Sequence, residues 1–145
     1  MYIIGVLLYL LIVATMILTN GIFLRFIDPL NLLFVVGSII STVVATGSYK
    51  DVISGFRIVY KNESIDQVDL NRIIKVFNLL FNVSLISGFI GLIIGIIFIL
   101  TETKDLWEIG PMLASSLTTV FYGLIIGFFI FLPAKVKLEV KEHLI

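Results

Sequence analysis

The residues best able to do chemistry in this chain stand on one stretch, Ile109 to Ala134. Ser115, Thr118, Thr119 and Tyr122 recur at i, i+3, i+4 and i+7, the spacing that places side chains on one face of a helix. A row of hydroxyls can relay a proton or lend oxygens to a passing cation, but a relay also needs a group that holds the charge. A second stripe, Gly88, Gly91, Leu92 and Gly95, has the same spacing, and Ser84 extends it by one turn. Gly91–Gly95 and Gly123–Gly127 are both G-x-x-x-G pairs. Small residues let helix backbones approach closely, and hydroxyls then bond across them. Two readings stand open: the faces only pack, or together they line a pore or cradle a partner helix.

The elements that carry these stripes are membrane spans. Of 145 residues, 59% are hydrophobic and 14% charged, against roughly 45–50% and 25% in a soluble domain. A span needs about 20 mostly apolar residues to cross a hydrocarbon core about 30 Å thick. Four stretches qualify, at about 2–18, 29–46, 76–100 and 110–133. The expected fold class is an all-α membrane protein, one domain over 1–145 with four transmembrane helices. A signal peptide followed by three spans is the rival count, but the first stretch lacks a basic n-region and an A-x-A cleavage site. That first span is Leu/Ile/Val-rich almost all round and is expected to face lipid. The second, with Gly37, Ser38, Ser41, Thr42 and Thr46, offers small residues for packing against neighbours.

Charge excludes several functions. Ten basic and ten acidic residues cancel, which gives nucleic acid no strong electrostatic hold. The absence of cysteine removes disulfides, thiol nucleophiles and thiolate metal sites. No Asp, Glu, Lys, Arg or His lies within the four spans, and the lone histidine, His143, is in the C-terminal tail. A proton pump acting alone, or a small multidrug exporter, would place an ionisable residue at depth. A haem-binding bundle would need axial ligands. If this chain moves ions, the titrating group is expected to come from a partner. No enzyme activity and no cofactor are expected.

Charge also sets an orientation. Lys50, Arg57, Lys61, Arg72 and Lys75 stand in the middle segment, and Lys135, Lys137 and Lys141 in the tail. The two short loops hold only Arg25 and Lys104, beside Asp28, Glu102, Asp105 and Glu108. By the positive-inside rule the middle segment, about 47–75, and both termini are cytoplasmic. Val52, Phe56, Val59 and Tyr60 recur at helical spacing, so the second span is expected to continue inward as an amphipathic helix. Asn62 to Asp69 reads as a turn, with Asp69 as N-cap of the helix that leads into the third span. The glycosylation patterns at Asn62-Glu63-Ser64 and Asn82-Val83-Ser84 fall on the cytoplasmic side and in a span, and are chance matches.

The fourth span and its flanks read Ile109-Gly110-Pro111-Met112-Leu113-Ala114-Ser115-Ser116-Leu117-Thr118-Thr119-Val120-Phe121-Tyr122-Gly123 and end at Phe131-Leu132-Pro133-Ala134. This resembles the last span of the MotA stator subunits, where Gly-Pro leads into an A-x-x-L-T-T-x-x-Y-G helix closed by a proline. Gly88-Phe89-Ile90-Gly91-Leu92-Ile93-Ile94-Gly95 is similar to the family's G-M-I-G-T-x-x-G helix. Phe26-Ile27-Asp28-Pro29, Val35-Val36-Gly37 and Lys50-Asp51-Val52-Ile53 resemble its second span and cytoplasmic exit. With gaps, the resemblance to the MotA/TolQ/ExbB proton channel family covers most of the chain and is closest to MotA, with a much reduced cytoplasmic region.

The resemblance implies a mechanism. Several copies, usually five, form a homo-oligomeric ring in the bacterial inner membrane around two single-span helices of a MotB-like partner. Each partner helix carries the ion-binding aspartate, so ion flow becomes torque as the ring steps around the dimer. The third and fourth spans face the partner. Ser115, Thr118, Thr119 and Tyr122 would then lie beside its aspartate, with Thr119 and Thr118 relaying the ion, opposite Gly88, Gly91, Leu92 and Gly95. Pro133 would sit near the cytoplasmic exit. Two departures bear on this. Leu85 and Leu92 stand where the family has proline and threonine, and loss of the second hydroxyl favours protons over Na⁺, which needs several oxygens. The reduced hairpin, with Arg57, Lys61, Glu63 and Arg72, points to a load other than a standard flagellar rotor. The rivals are a TolQ/ExbB-like energy transducer, usually of three spans, and a non-conducting membrane scaffold.

Overall fold

A computed structural model describes residues 2–19, 27–61, 67–102 and 104–142. Their elements are α1 (Tyr2–Thr19), α2 (Pro29–Thr46), α3 (Tyr49–Lys61), α4 (Gln67–Glu102), α5 (Leu106–Ile125), a π-helical segment (Ile126–Phe131) and α6 (Leu132–Glu142). Arg25 and Phe26, the polar turn up to Asp66 including Asn62 and Glu63, and His143 lie outside the described residues.

Among the described residues, three helices are long and apolar enough to cross a membrane: Pro29–Thr46, Asp69–Glu102 and Leu106–Glu142. A shorter apolar helix, Ile4–Thr19, accompanies them. It sits at the periphery. Tyr9 stacks on Phe129 with ring centroids 3.4 Å apart, while Leu7, Leu8, Leu11 and Met16 are exposed.

Helix α2 starts where the sequence places it. Asp28 has extended backbone (φ −114°, ψ 97°) and its carboxylate accepts from the Asn31 amide at 3.2 Å. Pro29 occupies the first turn, where a missing N–H costs nothing. The expectation that this helix runs straight on into the amphipathic one is corrected. Gly47 adopts φ +63°, and the Gly47 and Ser48 amides donate back to the Val44 and Val43 carbonyls at 3.1 and 3.0 Å. That left-handed turn, which glycine alone enters without a Cβ penalty, ends α2 and redirects the chain into α3. Two other boundaries also move. Helix α4 begins at Gln67, so Asp69 lies within its first turn and not at its cap, where its charge still favours the helix dipole. The last span does not close at Pro133 but continues through it to Glu142. A proline inside an α-helix leaves the carbonyl four residues back unpaired and collides with it. Here the turn before Pro133 is π-helical, and the Leu132 amide donates to the Gly127 carbonyl five residues back. The widened turn makes room for the ring, and the helix resumes.

The largest buried side chains gather at the charged end, where α3, the start of α4 and α6 meet. Val59, Leu70, Ile73, Phe77, Leu80 and Leu138 are buried there. Phe77 is held edge-on between Phe56 and Phe131, at 5.2 and 6.2 Å. Gly55 leaves the space that the Phe77 ring fills. Arg72 pairs with Asp51 at 3.0 Å, joining α4 to α3. Lys137 of α6 donates to the Val59 carbonyl at 2.5 Å. At 36 residues α4 is about 54 Å long, well beyond a bilayer core, so its polar start projects into this cluster.

Candidate functional site

Helices α4 and α5 run antiparallel with almost no side chain between them. A Cβ at Gly88 would stand 3.1 Å from Val120 Cα and 3.2 Å from the Thr119 carbonyl oxygen. One at Gly91 would overlap Thr119 Cγ2, and one at Gly95 would overlap Ser116 Oγ. From the other side, a Cβ at Gly123 would overlap the Ser84 carbonyl oxygen, and one at Gly127 would stand 2.6 Å from Ser84 Oγ. The glycine stripe of α4 therefore meets α5 inside one chain, through Thr119 of the hydroxyl stripe together with Ser116, Val120, Gly123 and Gly127, and Leu92 stands half-buried.

Most of the seam's hydroxyls bond back to their own helix. Thr118 donates to the Ala114 carbonyl at 2.9 Å and Ser116 to that of Met112 at 3.0 Å. Ser84 donates to the Phe81 carbonyl at 2.7 Å and Ser87 to that of Ser84 at 3.0 Å. Thr119 differs. It is 1% exposed, its methyl fills the notch at Gly91, and its Oγ1 has no hydrogen-bond partner among the described residues. A buried hydroxyl left unpaired costs roughly 1–3 kcal/mol. Few such groups persist in a native fold, and each calls for an explanation.

The hydroxyl face of α5 is wide enough to meet two helices, and the structure divides it. Thr119 turns to α4, while Ser115 and Tyr122 turn to α2. Ser115 Oγ donates to Asp28 Oδ2 at 2.7 Å. Asn31 Nδ2 reaches Asp28 Oδ2 at 2.7 Å, the Ser115 carbonyl at 2.8 Å and Ser115 Oγ at 3.1 Å. The Asp28 amide donates to Tyr122 Oη at 2.9 Å. A cleft of about 370 Å³ opens beside this cluster; Asn31, Ser115, Ser116, Gly91 and Gly95 form its polar and small-residue part, and Leu30, Phe34 and Phe98 are among its apolar walls.

This cluster corrects the reading of Asp28 as a loop charge beyond the spans. Ser115 lies seven residues past Glu108, and Gly95 seven residues before Glu102, so the Asp28 carboxylate sits about 10 Å along the helices from both. The sequence held a signal for this. Helix α2 has only 18 residues, about 27 Å, so its head falls short of the ends of its longer neighbours. Asn31, one turn after Asp28, was likewise missed. Pro133 sits just past the π segment, at the charged end of the molecule.

A span with a glycine seam, a hydroxyl face and a proline-tolerant π turn is the part of the chain that family comparison recognises. The model of the MotA/TolQ/ExbB proton channel family matches residues 56–144, well over half of the chain. The chain belongs to the MotA/TolQ/ExbB proton channel family. No curated protein matches it. The family is one of oligomeric membrane complexes with partner proteins, and membership gives this multi-pass chain a proton-channel or energy-transducer role. The match begins at Phe56 and takes in α4, α5, the π segment and α6. Asp28 and Asn31 lie outside it, whereas their partners Ser115 and Tyr122 lie within it.

Proposed function

We propose that the chain is the ring subunit of a proton-driven membrane motor of the MotA type, working with a MotB-like single-span partner that supplies the ion-binding aspartate. The observation that carries this reading is Thr119, whose buried and unpartnered hydroxyl sits in the family's core at the α4–α5 seam. The stretches Val76–Thr101 and Ile109–Ala134 carry no ionisable side chain other than tyrosine. A carboxylate brought by a second helix would give Thr119 an acceptor and the path a charge carrier. The apolar side of α4, with Ile86, Phe89, Ile93 and Ile97 exposed, offers a surface for neighbouring copies or lipid. In this reading α1 is a fourth, outer span, the ring holds about five copies in the bacterial inner membrane, and both termini are cytoplasmic. The missing hydroxyl at Leu92 favours protons. The load differs from a flagellar rotor, because the described part of the cytoplasmic hairpin is short and α3 offers only Lys50, Arg57 and Lys61 as exposed basic groups, with Asp51 paired to Arg72.

One observation favours the scaffold instead: the two small-residue faces pack against each other within one chain. Thr119→Val separates the readings, because valine keeps the methyl at Gly91 and removes only the hydroxyl. With the neighbouring gene products co-expressed, native mass spectrometry counts the chains and a dye reports proton flux into liposomes. We expect a ring that retains two partner chains, with flux reduced at least tenfold in the variant. A monomer, or a ring that never retains a second chain, would sink the motor.

A further inference from the structure

We infer that the exposed face of α3 is a binding surface for anionic phospholipid head groups, with the helix laid across the bundle at the membrane boundary. The inference does not depend on whether the chain conducts.

The first ground is how the helix divides. At about 100° per residue, Tyr49, Lys50, Ile53, Arg57, Tyr60 and Lys61 fall within about 120° of one another around the axis. These six are the exposed residues of α3, and the rest of the helix is buried or half-buried. The exposed arc is itself graded. Tyr49, Ile53 and Tyr60 form an apolar edge, and Lys50, Arg57 and Lys61 form a basic one.

The second ground is level. Gly47 ends α2 with its left-handed turn, and α3 leaves sideways from there. Asp51 meets Arg72 of α4, and eight residues later the Val59 carbonyl accepts from Lys137 of α6. Those two partners mark one level of the bundle. Arg72 stands four residues before the uncharged run that opens at Val76, and Lys137 three residues after the one that closes at Ala134. Between its two contacts α3 advances about 12 Å and stays at that level. It therefore lies where the apolar spans give way to water.

The third ground is charge. Among the described residues Lys50, Arg57 and Lys61 enter no ion pair, and Asp51, the one acidic side chain of α3, turns inward to Arg72. The outer face thus carries three positive charges and no negative one. A surface facing only water would account for the bases. It does not account for Tyr49, Ile53 and Tyr60, which stand 55–57% exposed beside them. At a bilayer surface both edges are satisfied: aromatic and aliphatic groups enter the boundary of the acyl chains while the cations reach phosphate. In the orientation proposed above, this end meets the cytoplasmic leaflet, whose surface is negative.

The test uses the full chain, with any partner it retains, in phosphatidylcholine vesicles with or without phosphatidylglycerol. Ile53→Trp, combined with Trp107→Phe so that a single indole reports, places a fluorophore on the apolar edge. Its emission is expected to fall by about half or more with brominated phosphatidylglycerol and to be unchanged by acrylamide on both sides of the bilayer. Acrylamide quenching as strong as the lipid's would put the face in water. Protection from both quenchers would put a second copy or another protein over it. Either result overturns the inference. A second measurement counts lipid by native mass spectrometry after incubation with an equal mixture of the two phospholipids. The triple variant Lys50→Gln, Arg57→Gln, Lys61→Gln is expected to retain phosphatidylglycerol roughly tenfold less, with phosphatidylcholine unchanged. Equal retention of phosphatidylglycerol by the variant and the unsubstituted chain also overturns it.

Discussion

Helix α4 is held in two different ways along its length. At its charged end Leu70, Ile73, Phe77 and Leu80 bury bulky side chains against α3 and α6. Farther along, Gly88, Gly91 and Gly95 bring the backbone against Val120, Thr119 and Ser116 of α5. The difference follows the solvent. Among Lys50, Arg57, Lys61, Arg72 and Lys75 the chain meets water, and buried apolar area is worth roughly 25 cal/mol per Å². Between lipid tails no such gain exists, because the tails are as apolar as leucine, and association rests on close contact. One helix thus carries a soluble-type core and a membrane-type seam in series.

The comparison breaks most easily at Phe77. Phe77→Ala should cost about 3–5 kcal/mol, because the ring fills the notch at Gly55 and touches Phe56 and Phe131. Denaturation in mild detergent measures it. A loss below about 1 kcal/mol would mean that burial does not hold this end. Gly91→Leu comes next, at about 1–3 kcal/mol, since Thr119 stands where the new Cβ must go and cannot swing aside without moving α5. If melting is unchanged, the seam is looser than the backbone contacts require. The smallest effect belongs to Gly37→Ala, which meets nothing within 4 Å. It should stabilise the isolated subunit by about 0.5–1 kcal/mol through helix propensity. A loss confined to the assembled complex would sharpen the picture by showing a neighbouring copy against that side of α2.

Much of this was legible in the chain itself. Val76 to Thr101 and Ile109 to Ala134 are uncharged and long enough to span, and composition fixes that whatever surrounds them. Helix α2 starts as its Asp-Pro head suggests, because caps are local chemistry, whereas its stop at the left-handed Gly47 was not foreseen. The spacing that placed Ser115, Thr118, Thr119 and Tyr122 on one face was correct as helical geometry. It did not reveal that α2 and α4 divide that face, because periodicity names a side of a helix and not the neighbour against it. The helix running on through Pro133 was also hidden, since a proline ordinarily ends a helix and only the π turn before it lifts the clash.

By itself, then, the sequence determined an apolar helical chain of this family, with charges gathered at one end and two small-residue stripes on its last long helices. Those are properties of residue type and of 3.6-residue spacing, which act within a single helix. Tertiary structure alone decided that the glycine stripe of α4 takes Thr119 while α2 takes Ser115 and Tyr122, that Thr119 is left with an unpaired hydroxyl among the described residues, and that Asp28 sits against Ser115. Each of these depends on how far one helix is shifted along another: close glycine contact sets the register of α4 on α5, and hydrogen bonds from Asp28 and Asn31 to Ser115 set that of α2 on α5.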